Sequence, residues 1–595
     1  MKQIIKEYLR SLTERGQLEV VLCRLLSNMG LSLISEPGRG TTQKGVDILA
    51  RGKVAQDLEE TLFILTVKMG NLTRANWSGG EQKVRESLQQ IIDSYIPHRL
   101  NPDEAALYKR ICVCFGGDIS EHAKEDAAGF YKIEKAHLEL ENAKIELWNG
   151  DEIAKLICEY LVSPDLLLGE GRKYLIKTLA MAEEPETATN SFKAYLVNCL
   201  ECSNDKISAI EVVRTLRQVS MALELVHSYC VQVDNLDASF RSSELAVLLS
   251  WQYLCSHDGV LDKCRSKAHL CFNDIWLQYF SIAGEFVDKV SRAVDERYQL
   301  MLACLPNTEI DANKKVFDLI GRLSSFGESV LFHYHVVSKS ARQITPEGEA
   351  SFEVLLKKTR DCLVKLIKNN PTAEMPLEDS YSFEIGAAAC FLIQMGNAEF
   401  VKGWIEAMLG AAVHNLRLRR GFPYHGLPYL DVIARASKSW DAEDEMSMPK
   451  SSTLYPMLML IATSNGWSEI YESCRMLHAK FLPTVDFQLW YPQSDSIDGL
   501  IKGVIVYTPH GLSLTSLDVT KEERFRDSIF EECDNSPLRF GFLQGPYAGL
   551  LFIACRVSRY PLPPHYLRAI HDQLNNKNVR GDSPPLHGKT SEEES

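Results

Sequence analysis

The stretch 45-GVDILARGKVAQDLEETLFILTVK-68 holds two apolar runs, "VDILA" and "TLFILTV", joined by the polar connection "RGKVAQDLEE". Each run is short and rich in Val, Ile, Leu or Phe, which predicts two strands. The connection is long for a hairpin but within the range of ordinary loops. The second run is apolar on both faces and so belongs in the interior of a sheet covered on both sides. Asp47 stands at the head of the first run and Lys68 at the tail of the second. If the two strands pair antiparallel, these residues meet. Side chains alternate along a strand, so Thr66 and Lys68 share a face with Leu62 and Ile64. Glu60, at the far end of that face, is about 20 Å from Thr66.

Residues 1–29 carry apolar positions at helical spacing, with Gly16 dividing two helices and Gly30 ending the second. "LSLIS" is a short strand, followed by the turn "SEPGRGTTQKG". After Lys68 come an amphipathic helix with Val84, Leu88, Ile91 and Ile92 on one side, and the strand "RICVCF". A helix capped by Ser120 follows, then the strand "AKIELW" and a closing helix. The expected fold class is an α/β domain over 1–165, a mixed central sheet flanked by helices. Residues 166–575 repeat apolar residues at spacings of three and four without a fixed period, which predicts a large, mainly α-helical region rather than a regular solenoid. "GVIVYTPHGLSLTSL" (503–517) reads as a small hairpin, and 576–595 as a polar, disordered tail.

Composition bounds the function. The chain has 595 residues, 45% of them apolar and 24% charged, which is globular and too long for one core. The N-terminus lacks the apolar core of a signal peptide, and no stretch approaches the ~18 apolar residues of a membrane span. A cytoplasmic protein with no membrane partner is expected. The net charge of −14 argues against a protein that coats nucleic acid without specificity, so any DNA contact needs a local basic surface. Most of the sixteen cysteines sit singly in apolar patterns, as Cys23, Cys255, Cys390 and Cys555 do, which suits reduced core cysteines. "CLEC" (199–202) has no second pair at zinc spacing, and His333 and His335 do not share a helix face.

Asp47, Lys68 and a second carboxylate would suit divalent-metal chemistry. Magnesium takes hard oxygen ligands and needs only one or two carboxylates. An ammonium beside it stabilises negative charge developing on a phosphate. Glu19, on the apolar second helix, either occupies the solvated edge of that helix or turns inward as the second ligand. Thr66 offers only a neutral oxygen. Arg39 and Lys44 in the Gly-rich turn form either a phosphate cradle or a plain turn. Lys83 and Arg85 are either DNA contacts or a solvated helix face. "NLRLRRGFPYHGLPYL" sets Arg417, Arg419 and Arg420 beside Tyr424, His425 and Tyr429: a nucleic-acid surface, or a helix end with a packed loop. Trp440, Trp467 and Trp490 read as core anchors.

Taken in order, the helix with Glu19, "MGLSLISEPGRGTTQKGVDILA", "LFILTVKMG", "ICVCFGGDISEHAKEDA" and "IELWNGDEIAKLI" resemble the Mrr-type branch of restriction-endonuclease-like (PD-(D/E)xK) nuclease domains. The resemblance covers about residues 10–162. The family pattern is a helix Glu, a G-x-D strand, a (Q/E)-x-K strand, a strand leading to F-S-x-x-A, and a closing (E/D)-L-x-(D/N)-G-x-x-L. It implies Glu19 as the helix acid, Asp47 as the metal aspartate and Lys68 as the lysine, with Mg²⁺ or Mn²⁺ as cofactor and Asp47 and Glu19 as its ligands. It also implies a metal-dependent DNA endonuclease, the effector of a prokaryotic restriction or anti-phage system. Such an effector works with DNA, as an oligomer or multi-subunit complex, and with an ATPase or sensor protein, since the chain has no G-x-x-x-x-G-K-[ST] loop of its own. The departure is Thr66, where the family has an acid or Gln. Three readings follow: an active nuclease with one ligand exchanged, a partner-activated or inactive module that binds nucleic acid, and a helical interaction scaffold.

Overall fold

The structure is a computed structural model that describes residues 2–35, 44–54, 59–79, 84–137, 142–161, 171–200, 207–261, 264–339, 346–418, 450–492, 500, 511–515, 517–535 and 545–580. Helix α1 (Lys2–Ser11), a turn and α2 (Glu19–Asn28) precede β1 (Ser32–Ser35), β2 (Ile48–Gly52) and β3 (Thr61–Lys68). Helices α3 (Arg74–Ser78), α4 (Val84–Gln90), α5 (Ile96–Arg99) and α6 (Pro102–Ala106) lead to β4 (Tyr108–Phe115). Helix α7 (Glu121–His137) then leads to β5 (Ala143–Trp148) and α8 (Gly150–Tyr160). Thr73, Asn101 and Asn149 start their helices by accepting the amides of Asn76, Glu104 and Glu152.

The five strands form one sheet in the order β1-β2-β3-β4-β5. The first three pair antiparallel, and β3, β4 and β5 pair parallel. Parallel neighbours need a crossover, which α3–α6 and α7 supply. β3 lies in the middle, and every residue from Thr61 to Val67 is buried. Leu49, Leu62, Ile64, Ile111 and Val113 pack on one face against Trp77, Val84, Leu88, Ile91 and Phe130 from α3 to α7. On the other face Phe63 meets Trp148, and Ile48, Leu65 and Val67 are buried on the side of α1, α2 and α8. The fold class is therefore mixed α/β, with a five-stranded sheet, followed by a mainly helical remainder.

Packing divides the chain into two compact units, Met1–Ile282 and Ala283–Ser595. Residue 165 thus falls within the first unit, because helices α9 (Arg172–Ala180), α10 (Pro185–Leu200), α11 (Ala209–Gln232) and α12 (Leu236–Ser256) pack into it. Helix α11 grips α1: the Arg217 guanidinium donates to the Glu7 carbonyl (2.7 Å) and carboxylate (2.6 Å), and Arg214 donates to the Ser11 carbonyl (3.3 Å). From the other side, Lys6 of α1 pairs with Asp118 (2.7 Å) and Asp151 (2.6 Å). These bonds fix the helix that delivers the turn described below.

The second unit is built on buried helices, among them Glu309–Lys339, Ser382–Gln394, Leu454–Ser464 and Leu550–Ser558. Trp467 and Trp490 are buried there, and Trp440 lies outside the described residues. Leu512–Leu514 pairs with Leu489–Tyr491, so the second half of the expected hairpin finds a strand earlier in the chain; residues 501–510 lie outside the described residues. The last helix runs Pro564–Arg580, five residues into the stretch read as tail, and 581–595 lie outside the described residues. All fifteen described cysteines are unbridged. Cys390 and Cys555 are buried, but Cys23 is half-buried and Cys255 exposed, since their helices turn a wetter side outward there. Among the described residues no helix is long and apolar enough to cross a membrane.

Candidate active site

The site lies where β2 and β3 part. The ladder between them runs from the Ile48–Leu65 pair to Gly52–Thr61, which sets Asp47 opposite Thr66 just beyond its last pair. The Asp47 amide still donates to the Leu65 carbonyl at 2.8 Å. The next β3 amide, Val67 N–H, is met by the Asp47 carboxylate instead of a main-chain carbonyl: it donates to Oδ2 at 2.7 Å. Thr66 Oγ1 donates to the same oxygen at 3.3 Å. Asp47 therefore caps the open end of the ladder with one oxygen, and Oδ1 has no hydrogen-bond partner among the described residues. Gly45, two residues earlier, has φ +81°, and a Cβ there would lie 2.4 Å from the Ser87 carbonyl oxygen, so only glycine brings the chain into β2 along this path.

Lys68 is the last residue of β3, and its side chain is largely buried. Its ammonium lies 3.8 Å from Glu14, a residue of the turn between α1 and α2. The Met69 amide also hydrogen-bonds the Glu14 carboxylate, so Glu14 fastens that turn to the end of β3. Gly16 makes the turn possible with φ +75°, a left-handed conformation that costs a residue with a Cβ on the order of 1 kcal/mol. It brings the Gly16 amide onto Glu19, which accepts through Oε2 at 3.2 Å. Glu19 is only 5% exposed, so of the two alternatives left open by its sequence, solvated edge or interior, α2 takes the inward one. Its Oε1 has no hydrogen-bond partner among the described residues.

Burial pushes all three carboxyl groups above the usual carboxylate range. For Asp47 the Val67 amide, the Lys68 charge and the Thr66 hydroxyl oppose that rise. For Glu19 the Gly16 amide opposes it, while the charges of Asp47 and Glu14 add to it. For Glu14 the Lys68 charge opposes it and Asp47 adds to it. Three carboxylates that repel one another in a half-dry site favour any cation placed among them.

Among the described residues no three His, Cys, Asp or Glu side chains gather tightly enough to cage a metal ion. Magnesium does not require such a cage, because it keeps several waters and takes one or two carboxylates. Asp47 and Glu19 supply two hard-oxygen donors, each with one oxygen left open, so they fit that cation in kind.

The other sequence candidates that fall on described residues do not join this cluster. Lys44, at φ +51°, is half-buried before β2 and makes no ion pair among the described residues. Arg85 lays its guanidinium 5.7 Å from the Phe130 ring centroid, where it covers the helical layer. Arg39 and Lys83 lie outside the described residues, as do Arg419, Arg420, Tyr424, His425 and Tyr429; Arg417 is exposed at a helix end. Glu60 pairs with Arg51 at 3.3 Å, away from the site. His333 is buried and His335 exposed on their helix. A cavity of about 540 Å³ in the second unit is lined mainly by apolar residues such as Ile310, Met408, Leu409 and Leu454, with Glu309 and Glu374 also in its wall. Sequence reasoning missed Glu14: five residues before Glu19 in a helical pattern, it would point elsewhere, and only the left-handed Gly16 folds it back.

Comparison with protein-family models, with characterised proteins and with solved structures yields no match.

Proposed function

We propose that the protein is a metal-dependent endonuclease of restriction-endonuclease-like fold that hydrolyses DNA phosphodiester bonds. The observation that carries this reading is the open end of the β2–β3 ladder. There the Asp47 carboxylate, the Lys68 ammonium and the inward-facing Glu19 belong to one electrostatic cluster. Asp47 and Glu19 would hold Mg²⁺ or Mn²⁺, which when bound supplies a Lewis acid for the phosphate and acidifies water. Lys68 presents a fixed positive charge where negative charge grows on the phosphate. Thr66 and the Val67 amide hold the Asp47 carboxylate in one orientation, leaving its other oxygen for the cation.

The restriction or anti-phage setting rests on the motif resemblance alone. In it the helical region 166–575 would act as a sensor or scaffold, and an ATPase or sensor protein would be a separate chain. A second reading, a module that binds nucleic acid without cutting, is favoured by the neutral hydroxyl at position 66. Nicking of supercoiled plasmid by the purified chain with Mg²⁺ or Mn²⁺, lost in Asp47→Ala, supports the nuclease. Salt-sensitive retention of DNA with no nicking in either metal supports the second reading and overturns the first.

A further inference from the structure

Glu14 is the acid of this site that no motif points to. Its carboxylate faces Lys68 at 3.8 Å, accepts the Met69 amide and feels the charge of Asp47. Among the described residues four other charged groups act within the cluster: Asp47 and Glu19 on one side, Lys68 and Arg15 on the other. Without Glu14, two carboxylates face two cations and the local formal charge cancels. With Glu14 it becomes negative, and the excess is felt at Glu19, a residue only 5% exposed whose Oε1 has no hydrogen-bond partner among the described residues. Thr66, directly across from Asp47, adds an oxygen but no charge.

Resting on the proposed nuclease reading, we propose that Glu14 is the third carboxylate of the divalent-cation site. It supplies the charge that the strand position opposite Asp47 lacks. It acts through its field on a cation held by Asp47 and Glu19, in keeping with the absence of a three-acid cage among the described residues. In the cation-free protein the same carboxylate is engaged by Lys68, so cation binding and the freedom of the Lys68 ammonium are coupled.

The test is Mn²⁺ binding to the full chain, read from the loss of the free-ion electron paramagnetic resonance signal, with no dependence on cleavage. Glu14→Gln keeps a hydrogen-bond acceptor for the Met69 amide and removes only the charge. It is expected to weaken Mn²⁺ binding on the order of ten-fold, the effect of one partly screened neighbouring charge. Thr66→Glu added to Glu14→Gln places a carboxylate beside Asp47 and is expected to restore most of the loss. Wild-type binding that Asp47→Ala abolishes but Glu14→Gln leaves unchanged overturns the role of Glu14 while the nuclease reading stands. A loss in Glu14→Gln that Thr66→Glu does not repair also overturns it, because the residue then acts by holding the turn. Wild-type Mn²⁺ binding that Asp47→Ala does not reduce removes the metal site itself, and the proposal with it.

Discussion

Thr66 and Asp47 face each other just beyond the last pair of the β2–β3 ladder, hydroxyl to carboxylate at 3.3 Å. The bond is long, and the Val67 amide makes a shorter one to the same oxygen at 2.7 Å. Thr66→Ala is therefore expected to cost about 1 kcal/mol, as for one neutral hydrogen bond, and to slow nicking only several-fold. Thr66→Glu should tighten Mg²⁺ binding, since it adds a carboxylate beside Asp47. Position 66 is fully buried, so circular dichroism must first show that the longer side chain is accommodated. Titration of plasmid nicking against Mg²⁺ concentration measures both variants, and a Thr66→Ala protein as dead as Asp47→Ala would refute the minor role given to the hydroxyl.

Asp47→Ala and Lys68→Ala should both abolish nicking, but for different reasons. The first removes a charged donor to the cation, and the second removes the ammonium from the reacting phosphate. Mn²⁺ binding separates them: it should disappear in Asp47→Ala and persist, or tighten, in Lys68→Ala, where a repelling charge has gone. Equal loss of binding in the two variants would contradict these roles.

The sheet was legible because its strands are short apolar runs bounded by polar turns, and "TLFILTV" could only be a covered central strand. Asp47 and Lys68 were legible for the same reason, since pairing two neighbouring strands antiparallel brings head and tail together. What could not be read is what depends on a single backbone conformation. Gly16 appears in the sequence as a divider between helices, but its left-handed φ is what folds Glu14 onto Lys68, fifty-four positions away. The inward turn of Glu19 was equally hidden. An acid flanked by Leu18 and Val20 on a ten-residue helix has no local feature that chooses between edge and interior. The packing of α11 on α1 lay beyond periodicity altogether, because it joins segments more than two hundred residues apart.

The clamp on α1 has its own test. Arg217 is 9% exposed and bonds both the carbonyl and the carboxylate of Glu7. Arg217→Met keeps much of the apolar stem but leaves Glu7 without that partner, and the cost is expected to be about 2–3 kcal/mol, reduced from a fully buried pair because Glu7 is partly exposed. Urea denaturation measures it. Since α1 leads directly into the turn that holds Glu14 and Glu19, the same variant should also weaken Mn²⁺ binding. An Arg217→Met protein with wild-type stability would show that α11 does not brace α1.

In the second unit Glu328 offers a prediction in pH. It is fully buried on the helix Glu309–Lys339, accepts from Gln394 Nε2 at 2.9 Å, and lies near Cys390 and Tyr566. Burial pushes its carboxyl from the ordinary 4.5 up to about 8, and the Gln394 amide only partly opposes the shift. Below pH 4.5 the group is protonated in both folded and unfolded chains and contributes nothing to the pH dependence. Between 4.5 and 8 the unfolded chain has released the proton that the folded chain retains, so the unfolded state binds fewer protons and stability falls as pH rises. Above 8 both states are ionised and the loss levels off, after reaching at most about 5 kcal/mol. Glu328→Gln keeps the shape and cannot ionise, so its stability should fall less than that of the wild type over this window. The measurement is the urea midpoint of both proteins at several pH values from 4.5 to 9. Parallel pH profiles for the two would show that Glu328 is ionised at neutral pH in the folded chain, with a solvated or cationic neighbour to hold it.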